Sequence, residues 1–110
     1  MMTNLKNRLE TITILGQEYP MAISNVTYEE GRIQEMIDKG FDKTTWNDIA
    51  NLVKVLINEG IKLSNFINKE KEPLLTDSEV EILVSYATKQ EFAELGRKIN
   101  TLKTKFETMD

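Results

Sequence analysis

Residues 44–69 read TTWNDIANLVKVLINEGIKLSNFINK, the most apolar stretch of the chain and the one that decides its fold. Its apolar residues recur at steps of three, four or seven, so they share one side of a helix with 3.6 residues per turn. The stripe consists of Ile49, Leu52, Val53, Leu56, Leu63 and Ile67, and it is widened by Val55, Ile57, Trp46, Ile61 and Phe66. A helix that is apolar over so much of its surface needs several covering neighbours, so we predict the central core helix here.

Gly60 leaves two interpretations of this helix open. Glycine inside a helix costs about 1 kcal/mol relative to alanine. The position therefore predicts either one bent helix or two helices that part at Glu59 and Gly60. At the other end, the hydroxyl of Thr44 or Thr45 is placed to cap the first amides, and Asp48 puts a carboxylate in the first turn, where the helix dipole favours it.

The composition predicts one globular domain. The chain has 110 residues, 40% hydrophobic and 29% charged, which is enough for a single core and too little for two. Its net charge of −4 lacks the surplus of Lys and Arg that nucleic-acid binding needs. There is no apolar run of about 18 residues for a membrane span, and the N-terminal stretch lacks the apolar segment of a signal peptide. We therefore expect a cytoplasmic protein that binds neither nucleic acid nor membrane.

Residues 9–24 predict a β-hairpin, because apolar and polar residues alternate on either side of a glycine. A two-residue turn at Gly16 and Gln17 pairs Ile14 with Tyr19. The apolar face then holds Ile12, Ile14, Tyr19, Met21 and Ile23, and the polar face holds Thr11, Thr13 and Glu18. Two strands alone are marginal in water, so the hairpin is expected to lie on the helices or to pair with strands of another copy.

Pro20 complicates this register. With Ile12 paired to Met21, Pro20 falls opposite Thr13 at a position where its missing N–H is wanted. A bulge or a longer loop therefore stays open as an alternative.

Three further helices are predicted from capping signals and periodicity. They span residues 27–39, 76–86 and 88–107. Thr27 with Glu30, and Thr76 with Glu79, have the spacing of capping boxes. Together with the hairpin at 9–24 and the helix at 44–69, these elements predict a single α+β domain over residues 1–110, an N-terminal β-hairpin followed by about four α-helices.

The last predicted helix carries a regular apolar seam. Its residues follow spacings of three and four, the pattern that places a and d positions on one narrow line. The seam consists of Phe92, Leu95, Ile99, Leu102 and Phe106. In one interpretation the seam completes the core of the domain. In the other it binds a second protomer or a partner helix, and on this hypothesis the five residues are the candidate partner-binding site.

Residue types that carry chemistry are scarce. The chain has no Cys and no His, which removes thiol nucleophiles, the commonest general base and the commonest zinc ligands. Asp77, Glu79 and Glu81 fall in the first turn or so of a predicted helix, where the dipole attracts acids without any metal. We therefore predict a protein that is no enzyme and holds neither cofactor nor metal.

The order of the elements resembles that of a known family. The segments are ITILGQEYPMAIS (12–24), RIQEMIDKG (32–40), NLVKVLINEGIKL (51–63) and LTDSEVEILVSYAT (75–88). This succession resembles the small tail assembly chaperones of long-tailed, siphovirus-type phages and prophages. The resemblance implies a protein that binds the tape-measure protein, keeps its long hydrophobic helices soluble and helps to recruit major tail protein during virion morphogenesis.

The residues leave two other functions open. One is a small acidic regulatory or inhibitory module that binds another protein, and the second is a structural subunit of a virion. Under the chaperone hypothesis, the hairpin edges and the seam are expected to mediate self-association when the partner is missing.

Overall fold

A computed structural model describes residues 5–30, 32–40 and 43–108 and shows an α+β fold, as the sequence predicts. The described elements are β1 (Glu10–Ile14), β2 (Gln17–Met21), α1 (Asn25–Glu30), α2 (Ile33–Lys39), α3 (Trp46–Asn68), α4 (Asp77–Tyr86) and α5 (Lys89–Thr108). Helix α3 is the centre of the core. The buried side chains of the hairpin, of α2, of α4 and of α5 form one cluster around it.

Gly60 does not divide α3, which runs unbroken from Trp46 to Asn68. Instead, the glycine lets the helix approach β2. A Cβ at position 60 would lie 2.5 Å from the backbone nitrogen of Met21 and closer still to the carbonyl group of Pro20. In the preceding turn, the Leu56 carbonyl accepts a hydrogen bond from the Ala22 N–H at 3.1 Å. Of the two interpretations, the continuous helix is therefore correct, and the reason for the glycine is a backbone contact.

The predicted faces of the hairpin are confirmed, but the predicted register is wrong by two residues. The turn consists of Leu15 and Gly16, so Ile14 pairs with Gln17 and Ile12 pairs with Tyr19. Both turn residues have positive φ, 53° and 81°, as a type I′ turn requires. A shift of two residues keeps every side chain on its face, because side chains alternate with a period of two.

The observed register also removes the difficulty at Pro20. This residue lies opposite Thr11 rather than Thr13. Pairs alternate between bonded and non-bonded from the turn outward, which makes the Thr11–Pro20 pair non-bonded. The backbone nitrogen of Pro20 thus points away from β1, where no hydrogen bond to β1 is needed. The hairpin therefore pairs without a bulge.

The predicted helix at 27–39 is in fact two short helices, α1 and α2. Arg32 adopts a left-handed conformation with φ of 48° and separates them. The capping box also differs from the predicted one. Ser24 and Thr27 exchange hydrogen bonds between backbone N–H and side-chain oxygen, at 2.7 and 3.1 Å, and α1 begins at Asn25, two residues earlier than predicted. Gly31 and Phe41 lie outside the described residues.

The remaining helix starts follow the capping rules closely. Thr45 accepts a hydrogen bond from the Asp48 N–H at the start of α3. Thr76 and Glu79 form the predicted capping box at the start of α4. Each bond satisfies an amide that the first turn of a helix leaves without a partner.

The connection between α3 and α4 is tied to α3 by two asparagine side chains. The Asn65 amide donates to the Glu72 carbonyl at 2.9 Å and accepts from its N–H at 3.1 Å. Asn58, two turns earlier, makes the same pair of bonds with Leu75, at 3.2 and 2.8 Å. The connection therefore has a fixed backbone path, although most of its side chains face solvent.

Candidate protein-interaction surface

The seam of α5 lies mostly inside the domain. Leu95, Ile99 and Leu102 are only 1%, 2% and 1% exposed, and all three belong to the core cluster. The structure thus gives the first of the two predicted arrangements, in which the seam completes the core. A partner could reach these three residues only if α5 left the body, so their proposed role in partner binding stays a prediction.

The two ends of the seam come closer to the surface. Phe92 and Phe106 are half-buried, and each contacts an aromatic ring from another element. The Phe92 ring lies 5.4 Å from the Trp46 ring, centroid to centroid, in a tilted arrangement. The Phe106 ring stacks on Tyr28 at 4.9 Å. Such pairs add to the stabilisation from burial alone, so both ends of α5 are held by aromatic contacts.

Trp46 is the most conspicuous exposed side chain at the seam. It is 63% exposed, although the sequence predicts it as part of the covered stripe of the central helix. Its position at the start of α3 leaves part of the indole against the Phe92 ring and the rest in solvent. Exposed Trp residues are common anchors of protein interfaces, because they bury a large area at a small entropic cost.

Other large apolar side chains are also exposed, and they are spread over the hairpin and several helices. They are Leu15, Val26, Phe66, Leu74, Ile82 and Tyr86. Phe66 was predicted to be covered and is 61% exposed. Ile82 and Tyr86 were not predicted as surface residues. Ile82 and Tyr86 are four residues apart and therefore lie on the same side of α4, away from the buried face of Val80, Leu83 and Val84. This spacing could have predicted their exposure.

Two carboxylates join the hairpin to α5. Glu10 of β1 accepts hydrogen bonds from Lys105 and from Lys98, the latter at 3.3 Å. The bond from Lys105 is the largest cause that lowers the pKa of Glu10 from its ordinary value, and Lys98 adds to the effect against the cost of burial. The ion pairs connect one end of the hairpin to the middle of α5, at Lys98, and to its last turn, at Lys105.

The turn of the hairpin is attached to the other end of α5. The Glu91 carboxylate accepts the backbone N–H of Thr88 at 2.8 Å and that of Leu15 at 2.9 Å. These two bonds, Thr88 first, lower the pKa of Glu91. Glu91 and Thr88 thus form a capping box for α5, and the same carboxylate fixes the turn. This capping box was not predicted, although Thr88 and Glu91 have the required spacing in the sequence.

The acidic residues at the start of α4 have structural partners. Asp77 forms an ion pair with Lys54 of α3 at 2.6 Å, and Glu79 closes the capping box with Thr76. Over residues 5–30, 32–40 and 43–108, no group of three or more acidic side chains is arranged to hold a metal ion. Within the same ranges, no helix combines the length and apolar character needed to cross a membrane.

These features describe a small helical domain with a buried seam, a hairpin held at both ends and several exposed apolar side chains. Comparison with protein-family models, with curated proteins and with solved structures gives no match for the chain.

Proposed function

We propose that the protein is a phage tail assembly chaperone that binds the tape-measure protein and helps to recruit major tail protein in the host cytoplasm. It acts by binding, with no catalytic step. The order of its elements, a hairpin followed by a short helical region, a long central helix and a capped helix, is the order on which the family resemblance rests. The proposal is supported mainly by one observation on the surface.

That observation is the exposed indole of Trp46 beside Phe92. A chaperone of long apolar helices has to cover apolar stripes without reading a strict sequence. Burial of apolar area suits this task because it is not directional. Trp46 supplies a large apolar surface that is accessible without unfolding, and Phe92 extends it into the predicted seam. A helix that docks there would lie against the start of α3 and of α5.

Co-expression with a tape-measure protein tests the proposal. The wild-type chain should move the tape-measure protein from the insoluble to the soluble fraction. Trp46→Ala should lower that soluble fraction, because it removes the accessible anchor while leaving the core intact. Phe66→Ala is the matched control, since it truncates another exposed aromatic residue about 30 Å further along the same helix.

One result would contradict the proposed function, and another would contradict only the role of Trp46. If the wild-type chain leaves the tape-measure protein insoluble, the chaperone function is rejected. If Trp46→Ala and Phe66→Ala behave alike, the function stands but the surface at Trp46 does not carry it.

A further inference from the structure

A groove runs along the outer edge of β2, on the opposite side from β1. One wall is the β2 segment from Gln17 to Pro20, and the other is the α3–α4 connection from Glu72 to Leu75. The floor is formed by Ile61 and its neighbours on α3. The groove has a volume of about 350 Å³, which suits a few residues of extended chain rather than a helix.

The β2 wall offers an open backbone position at Glu18. Ile14 and Gln17 flank the two-residue turn and form a bonded pair, so the next pair, Thr13 with Glu18, is non-bonded. The N–H and C=O of Glu18 therefore point away from β1 and toward the groove. Neither group has a hydrogen-bond partner among the described residues of the chain. An extended segment can bind there in the way that a strand extends a sheet edge.

The same wall limits the length of any segment that pairs with it. Pro20 has no N–H to donate, and its carbonyl group lies against α3 at Gly60. Pairing along β2 must therefore stop near Tyr19. This allows recognition of a short segment and prevents long edge-to-edge association, which is a common use of proline at sheet edges.

The opposite wall is held in place before any ligand arrives. The paired amides of Asn58 and Asn65 fix the backbone at Leu75 and Glu72, as described above. A groove with both walls fixed pays less entropy on binding than a mobile loop would.

The charged residues that line the groove are all acidic. The carboxylates of Glu18, Glu72 and Glu79 line it, and none of the Lys or Arg residues that the structure describes does. Glu79 is occupied by its capping bond, but Glu18 and Glu72 form no ion pair with any residue that the structure describes. The rest of the lining combines the polar residues Gln17, Ser64 and Asn65 with a larger apolar set, Tyr19, Pro20, Ile61, Pro73, Leu74 and Leu75.

We propose that this groove binds a short extended segment of a partner protein in which Lys or Arg stands next to an apolar side chain. The apolar side chain lies on Ile61, the basic groups meet Glu18 and Glu72, and the segment's backbone pairs with Glu18. An acidic segment is disfavoured by like charge, and nucleic acid is disfavoured for the same reason. The proposal needs only the groove and does not depend on the chaperone function.

Titration of the nitrogen-15-labelled protein with the peptide Ac-Gly-Lys-Leu-Lys-Gly-NH2 tests this inference. Amide shifts should change at Glu18, Ile61 and Leu74, and the acidic peptide Ac-Gly-Glu-Leu-Glu-Gly-NH2 should change none of them. Replacing both free carboxylates, Glu18→Gln with Glu72→Gln, should weaken binding of the basic peptide roughly tenfold, the size expected for two exposed ion pairs.

The matched control is Glu29→Gln with Glu30→Gln, which changes the net charge equally on the exposed side of α1. It should leave the peptide affinity within about twofold of the wild type, since neither residue lines the groove and salt screens charges at exposed positions. The inference is overturned if the basic peptide does not bind, if the acidic peptide binds equally well, if the shifts map elsewhere or if the two double variants bind alike. A failure here together with success in the co-expression assay rejects the groove and keeps the chaperone function.

Discussion

Gly60→Ala should destabilise the protein, although alanine is the better helix former. The substitution gains about 1 kcal/mol of helix propensity. Against that gain, the new Cβ would lie 2.5 Å from the Met21 nitrogen and closer to the Pro20 carbonyl. Neither atom belongs to a side chain that can rotate away, so the cost should be near the upper end of the roughly 1–3 kcal/mol typical of overpacking. Displacement of β2 would also stretch the bond from Ala22 to Leu56, worth about 1 kcal/mol. We expect a net loss of about 2 kcal/mol or more.

Urea unfolding of the wild type, of Gly60→Ala and of Asn51→Ala measures this loss. Asn51 is exposed on the same helix, so its replacement reports helix propensity alone and should raise the free energy of unfolding by about 0.5 kcal/mol. The amide of Ala22 should also exchange faster with solvent in Gly60→Ala than in the wild type. If Gly60→Ala is stabilised like the control, the glycine is merely a weak point in α3 and the contact with β2 has no energetic role.

Three further outcomes are expected. Leu56→Ala should cost about 2 to 5 kcal/mol in urea melts, because Leu56 is fully buried and would leave a cavity, and a loss below about 1 kcal/mol would contradict its central position. The lowered pKa of Glu10 means that its contribution to stability is complete at neutral pH and is lost as the pH falls below about 4.5, so Glu10→Gln should flatten the pH dependence of the melting temperature in that range. Asn58→Ala with Asn65→Ala should free the α3–α4 connection and speed its cleavage by trypsin at Lys71, and an unchanged cleavage rate would show that the two amides do not hold it.

The hairpin shows what alternation in a sequence can and cannot predict. The faces were predicted correctly because any two-residue turn, wherever it falls, keeps Ile12, Ile14 and Met21 on one side, and that side is buried. The register depends instead on which two residues adopt positive φ. Glycine was assigned to the first turn position, whereas the chain puts it second and places Leu15 in the left-handed region before it. Because a leucine rarely adopts that conformation, residue preferences favoured a turn at Gly16 and Gln17 over the observed turn at Leu15 and Gly16.

The helices show a similar division. A period of 3.6 predicted the buried stripe of α3 and the seam of α5, but periodicity does not say which element covers a stripe. Trp46 and Phe66 lie at the ends of α3, where no neighbour extends far enough to cover them, and both are exposed. The groove beside β2 was out of reach for the same reason, because its walls come from segments more than fifty residues apart.

Leu15 offers a test of whether strain at the hairpin turn serves function. Its φ of 53° costs a leucine roughly 1–2 kcal/mol, and at 46% exposure its side chain recovers only part of this by burial. Asparagine tolerates the conformation, and Asn-Gly is the preferred pair for a type I′ turn. The backbone N–H that donates to Glu91 remains available. Leu15→Asn should therefore raise the free energy of unfolding by about 0.5–1 kcal/mol in urea melts.

If the exposed leucine contacts a partner, the same variant should keep less tape-measure protein soluble in co-expression while being more stable, since strained residues persist where function needs them. A variant that is more stable and fully active would show that Leu15 has no role in binding, and a less stable one would contradict the turn assignment itself.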